Sequence, residues 1–172
     1  MENDLQVELV KNAKKGDAES FVQLCRCYQN TLYNSAYKIL QNSEDISDCL
    51  QETEIIAWEN INALRNEAAF NSWIFRIMIN VARAILRKRS DIIQLEESDV
   101  SVMENFYGES ELKQVFDDLP EKYKIPIVLH YYAGFNIKEI ANLLKLPKNT
   151  VKTRLARGRE RLKILLEGEQ SD

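Results

Sequence analysis

Apolar residues along this chain recur at three- and four-residue steps almost throughout, the spacing that gathers them on one face of an α-helix. Leu5, Leu9 and Ala13 predict a short first helix that stops near Gly16. Asp17 suits the N-cap of a second helix, because its carboxylate can accept from free backbone amides. Phe21, Leu24, Tyr28, Leu32, Ala36 and Ile39 carry that helix. "QNSED" (41–45) breaks the period, with Ser43 as the expected cap of a third helix built on Ile46, Cys49, Leu50, Thr53 and Ala57. "NALRNEAA" (62–69) is a polar connection. Phe70, Trp73, Ile74, Ile77, Val81 and Ile85 then mark a fourth, strongly amphipathic helix ending in the basic run 87–89.

The pattern changes at 91–118, which hold nine acids and one base, Lys113. Up to Gly108 no period is sustained, and the stretch reads as a linker. Helix resumes near Glu109, with Leu112, Val115, Phe116 and Leu119 on one face and Pro120 at a break or a new start. "KIPIVLHYYAGF" (124–135) predicts a helix with Pro126 in its first turn, where proline is tolerated; a β-hairpin is the alternative. Asn136 and Glu139 have capping-box spacing, and Ile137, Ile140, Ala141 and Leu144 form a seam behind them. "LKLP" makes a turn, and a last helix runs from near Pro147 to about Leu166. The expected fold is all-α: two small helical domains, 1–90 and 109–172, joined by an acidic flexible linker, 91–108, with a helix-turn-helix at the C-terminal end.

Composition narrows the class. The chain has 172 residues, 45% hydrophobic and 29% charged, with formal net charge −4. No apolar run reaches membrane-span length and the N-terminal stretch lacks a signal-peptide core, so a cytoplasmic protein is expected. Cys25 and Cys27 point to opposite sides of a helix, Cys49 lies apart, and His130 is the one histidine. That set argues for reduced, half-buried thiols and against a metal site. Phosphate-binding glycine loops and Ser/His/Asp sets are not visible, so neither a cofactor nor an enzyme is expected.

Against the acidic whole, residues 148–163 hold seven Lys or Arg and one acid, Glu160. On a helical wheel Val151, Leu155, Gly158, Leu162 and Leu166 form a packing seam, where Gly158 lets a neighbour approach closely. Arg154, Arg157 and Arg161 line an adjacent face; Lys152, Arg159 and Lys163 line the opposite flank. Two helices joined by a short turn, the second basic with polar residues at its start, describe a helix-turn-helix that enters a major groove N-terminus first. The bland alternative is a solvated helix over a core. In the first domain, Arg83, Arg87, Lys88 and Arg89 follow an aromatic-rich stretch, a combination suited to separated strands. Phe70 and Trp73 belong to the apolar seam, whereas Phe75 lies off it and is the candidate exposed ring. Asp45, Asp48, Glu52, Glu54 and Glu59 give the third helix an acidic surface that suits a basic protein partner.

Three blocks, in order, resemble bacterial RNA polymerase sigma factors of the extracytoplasmic-function (ECF) type: "DCLQETEIIAWENI" (48–61), "FNSWIFRIMINVARAILRKR" (70–89) and "LPEKYKIPIVLHYYAGFNIKEIANLLKLPKNTVKTRLARGRERLK" (119–163). The resemblance implies that the first domain binds the clamp coiled coil of polymerase core, melts the −10 promoter element and captures a flipped base. It implies that the second domain reads the −35 element as duplex. By position, Asp48, Gln51 and Glu52 fall at the core polymerase interface. Asn80, Arg83, Arg87 and Lys88, with the 62–69 connection, fall at the −10 element. Lys148, Asn149, Thr150, Lys152, Thr153, Arg154 and Arg157 fall at the −35 element. The implied partners are bacterial RNA polymerase core, promoter DNA and an anti-sigma factor, often membrane-anchored in the family. The eighteen or so linker residues span at most roughly 60 Å, against roughly 34–36 Å for one DNA turn. The chain departs from the family pattern at Glu54 (usually apolar), Ala84 (usually Asp), Lys145 (usually Gly) and Gly158 (usually Ala). Two other functions remain open on sequence: a stand-alone helix-turn-helix regulator, and a sigma-like decoy for an anti-sigma factor.

Overall fold

The computed structural model describes residues 3–96, 116 and 118–169. These form seven α-helices and short 3-10 and π turns, with no strand among the described residues. The first helix, α1 (Asn3–Lys14), ends at Gly16, whose φ of +94° suits a residue without a Cβ. Asp17 caps α2 (Ala18–Leu40) as expected, accepting from the Glu19 amide at 3.3 Å. The cap of α3 (Ser43–Asn60) is Asn42 rather than Ser43. Asn42 keeps an extended backbone and accepts from the Asp45 amide at 2.9 Å, whereas Ser43 is already helical. The connection after α3 is not shapeless: it folds into two 3-10 turns, Ile61–Ala63 and Glu67–Ala69.

The fourth helix, α4 (Phe70–Glu96), continues through 91–96, six residues into the stretch expected to be linker. The rest of that linker, and the helix expected near Glu109 with Leu112 and Val115, lie outside the described residues. Phe116 and Leu119 are buried. The run 124–132 is helical rather than a hairpin, and the chain leaves the helix at 133–135. Its helix, α5 (Glu121–Ile127), begins directly after Pro120, so Pro126 lies in the second turn instead of the first. Proline there removes a backbone donor and crowds the preceding turn, and the chain widens at once into a π-helical turn, Val128–Tyr132. Both halves of the capping box form on α6 (Ile137–Leu144): Asn136 accepts from the Glu139 amide at 3.0 Å, and Glu139 accepts from the Asn136 amide at 2.8 Å. Lys145 closes α6 in the left-handed region at φ 54°. The last helix, α7 (Lys148–Glu169), runs slightly past its expected end.

Val10, Leu24, Ile39, Phe70, Ile74 and Met78 fill the interior of the α1–α4 bundle; Ile125, Leu129, Ile140, Val151 and Leu155 fill that of α5–α7. Gly158 is buried where α5 crosses α7, and a Cβ there would stand 2.5 Å from Ile127 Cδ1 and 3.2 Å from Tyr123 Cβ. The two interiors are continuous. Phe75, expected to be exposed, is fully buried: its ring meets Phe135 edge to face, centroids 5.1 Å apart. The buried face of α4 runs through Phe70, Ile74, Phe75, Met78, Ile79 and Ala82, whereas Trp73, Ile77, Val81 and Ile85 of the expected seam are only half-buried.

Candidate nucleic-acid interface

Helix α7 builds the more open of two basic surfaces. Val151, Leu155 and Gly158 turn inward, as their spacing predicts, with Leu162 and Leu166 half-buried beyond them. The opposite side is therefore free for polar residues. Lys148, Asn149, Lys152, Thr153 and Arg157 are exposed, and Thr150 and Arg154 are partly so. Asn149, Thr150, Thr153, Arg154 and Arg157 line one groove together with Lys122 and Tyr123 of α5. Three cations and no acid line it, so a phosphate backbone would be held without repulsion. The hydroxyl of Thr153 donates to the Asn149 carbonyl at 2.9 Å, which fixes the side chain on the helix surface. The α7 N-terminus adds backbone amides that favour an anion. Lys122 and Tyr123 had no sequence signal, because only the fold brings α5 alongside α7.

Tyr123 is the floor of this groove. Its ring is buried, which pushes its pKa up, but Lys122, Arg157 and Arg161 more than offset that and hold it below the usual tyrosine value. The Arg161 guanidinium lies 5.2 Å from the ring centroid, a cation–π distance. Arg161 is thus a brace beside the groove. On the other flank Arg159 donates to the Tyr131 hydroxyl at 3.0 Å, and His130 Nδ1 lies 2.8 Å from the Phe135 carbonyl. These contacts fix the π turn to α7 and to the start of the helix-turn-helix.

The second surface follows α4. Asn80, Arg87 and Lys88 are exposed, but Arg83 is half-buried and donates from Nε to Glu121 at 2.8 Å. Arg89 is a clamp, paired with Asp45 at 3.2 Å and donating to the Leu40 carbonyl at 3.2 Å. The adjoining 62–69 connection is pinned by α1. The Gln6 amide donates to the Glu67 and Ala68 carbonyls, each at 3.0 Å, while its own oxygen accepts from the Tyr28 hydroxyl. Lys14 donates to the Leu64 carbonyl and pairs with Glu67 at 2.7 Å, holding the Glu67 carboxyl below the usual carboxylate range. Gln6 and Lys14 escaped sequence reading because the connection they pin lies fifty or more positions away.

Between α3 and α4 runs a third feature, a groove lined by Asp48, Gln51, Glu52, Ile55, Val81, Ala84, Ile85 and Lys88. Its floor is apolar and its α3 rim acidic, a shape and charge that fit a helix carrying basic residues. Ala84 keeps an acid off that floor. Glu54 points away from the groove residues, towards Cys25, and partial burial raises its pKa. Lys88 is shared: it closes this groove and also belongs to the α4 cation run. No described helix is long and apolar enough to cross a membrane.

Comparison with known proteins covers both halves. Residues 24–92 match the model for sigma-70 region 2, and 110–162 match that for sigma-70, region 4. The chain is 30% identical to the ECF RNA polymerase sigma factor SigW of Bacillus subtilis, covering 90% of this chain and 92% of that one. Its fold is that of CnrH, solved in complex with the cytosolic domain of CnrY (TM-score 0.76, 24% identity, 95% of this chain and 98% of that one). It is also that of the sigma factor RpoE from Bartonella quintana, solved with the anti-sigma factor NepR (TM-score 0.73, 23% identity, 87% and 98%).

Proposed function

The chain belongs to the ECF type of RNA polymerase sigma factors, and from that premise we propose how its surface divides the work of promoter-specific initiation. The family's task is to join polymerase core and direct it to promoter DNA. In our reading the α7 face, with Lys148, Asn149, Thr150, Lys152, Thr153, Arg154 and Arg157, reads the −35 duplex. Asn149 and the arginines suit base edges, and the lysines, with Lys122, suit phosphates. Asn80, Arg83, Arg87 and Lys88 and the pinned 62–69 connection hold the −10 element. Asp48, Gln51 and Glu52, on the acidic rim of the α3–α4 groove, meet core polymerase. The domains are 1–90 and 109–172, with the acidic stretch between them as tether, and the chain acts without a catalytic site of its own. A partner of the anti-sigma kind, as NepR is for RpoE, belongs to this reading, with the protein in the cytoplasm.

The observation that carries the division is the groove of Lys122, Arg154 and Arg157, acid-free and facing out, on a chain whose net charge is −4. The cations are concentrated where duplex is to be read and the acids where a protein is to be met. The test is transcription with purified bacterial core on fragmented genomic DNA, sequencing transcript 5′ ends. Starts that depend on this protein and share two upstream motifs support the reading. Co-elution with core without such starts favours the decoy, and duplex binding without co-elution favours the stand-alone regulator.

A further inference from the structure

Arg157 and Arg161 stand one turn apart on the same side of α7, a spacing at which like charges repel. Gly158 lies between them in the chain and leaves a notch where α5 crosses: a Cβ there would stand 3.2 Å from Tyr123 Cβ. Tyr123, a residue of α5, is seated in that notch and only 5% exposed. It engages the two arginines by different parts of its side chain. The Arg161 guanidinium lies over the ring, 5.2 Å from the centroid, so its charge is spent on the π face. Arg157 is exposed, lines the groove with Tyr123, and donates a hydrogen bond to the phenol oxygen. One tyrosine thus separates two arginines that the helical wheel places together.

We propose that Tyr123 is a positioning residue for duplex reading: its hydroxyl holds the Arg157 guanidinium in the groove, its ring keeps Arg161 out of it, and base choice at the −35 element is thereby set partly from α5. The inference rests on the assignment of Arg157 to the −35 element. Arginine reads a guanine edge only when two of its N–H groups aim together at O6 and N7. A tyrosine oxygen occupies one of the five guanidinium donors and leaves the rest free. Fixing the side chain before DNA arrives also removes part of the ordering cost of binding. Lys122 and Lys152 need no such support, because a point charge meets a phosphate from many directions. Gly158, where the family pattern has Ala, is the residue that admits Tyr123 to this place.

The test uses the full chain with purified bacterial core polymerase and a promoter set carrying every single-base substitution across one mapped −35 element. Tyr123→Phe keeps the ring, the Arg161 contact and the seat against Gly158, and removes only the hydroxyl. It should reduce discrimination about two- to tenfold, the worth of one hydrogen bond, at the same base pair where Arg157→Ala reduces it. Preferences at the other −35 positions and at the −10 element should stay as in wild type. Tyr123→Phe combined with Arg157→Ala should discriminate no worse at that base pair than Arg157→Ala alone, because residues acting through one contact lose it once. Discrimination that Tyr123→Phe leaves intact overturns the proposal. So does a loss spread evenly over the −35 positions, or one that adds to that of Arg157→Ala, since either would make Tyr123 a support of the fold. Failure of the underlying reading looks different: wild-type starts without any −35 preference overturn the assignment of Arg157 and this inference with it, and absence of directed starts overturns the sigma reading as a whole.

Discussion

The two basic surfaces are built in opposite ways. On α7, Lys148, Lys152 and Arg154 enter no ion pair among the described residues, and the groove beside them holds no acid. On α4, Arg76, Arg83 and Arg89 each hold a partner within the fold. In the proposed division the α7 surface meets intact duplex and can stand ready, because a rigid helix meets a rigid groove and little has to move. In the same division the α4 surface is useful only after the duplex opens; Arg83, engaged with Glu121, would then limit unspecific capture of DNA, while Arg87 and Lys88 stay exposed. The comparison also explains the acidic total. Unspecific affinity grows with every phosphate neutralised, so a subunit delivered by a larger enzyme gains from keeping its cations few and local.

The seam under the α7 face offers the largest break. Gly158→Leu would drive a side chain into Ile127 and Tyr123, where even a Cβ stands 2.5 Å from Ile127 Cδ1. It should destabilise the second domain by about 2–3 kcal/mol, read by denaturant unfolding, and abolish −35 binding with it. If stability is unchanged, α5 and α7 do not approach as closely as described. Next comes the clamp on the 62–69 connection. Gln6→Ala leaves the Glu67 and Ala68 carbonyls without that donor, a loss of about 1–3 kcal/mol. It should slow promoter opening, followed by permanganate reactivity of unpaired thymines, more than it weakens −35 duplex binding. Equal losses in both would make the clamp a general support of the fold. The smallest effect is at Lys145, a non-glycine residue at φ 54°. Lys145→Gly should stabilise by about 1 kcal/mol, raising Tm by a few degrees in calorimetry; a fall in Tm would show that the lysine side chain supports the turn.

What could be read from sequence was local. Asn136 and Glu139 satisfy each other three residues apart, and Val151, Leu155 and Gly158 share a face by helical geometry alone. Where Pro126 sits depended on the helix starting at Glu121, which the weak period around Pro120 could not fix. Asn42 and Ser43 are both good caps, and only backbone conformation separates them. The candidate site was legible on α7, whose residues are consecutive turns of one helix. Lys122, Gln6 and Lys14 were not legible, since each acts on a segment distant in the chain. Phe75 was wrongly read as exposed, because part of its cover, Phe135, lies sixty positions along the chain.

The division of surfaces is the central claim, and Arg154→Ala tests it most directly. Transcription from a mapped promoter and binding to core polymerase would be measured on the same preparation, with a second promoter carrying an altered −35 element. The account predicts core binding within error of wild type and promoter-specific starts reduced by about 1–3 kcal/mol equivalent, with discrimination between the two −35 elements relaxed. Core binding that falls in step with transcription, with discrimination intact, would contradict it.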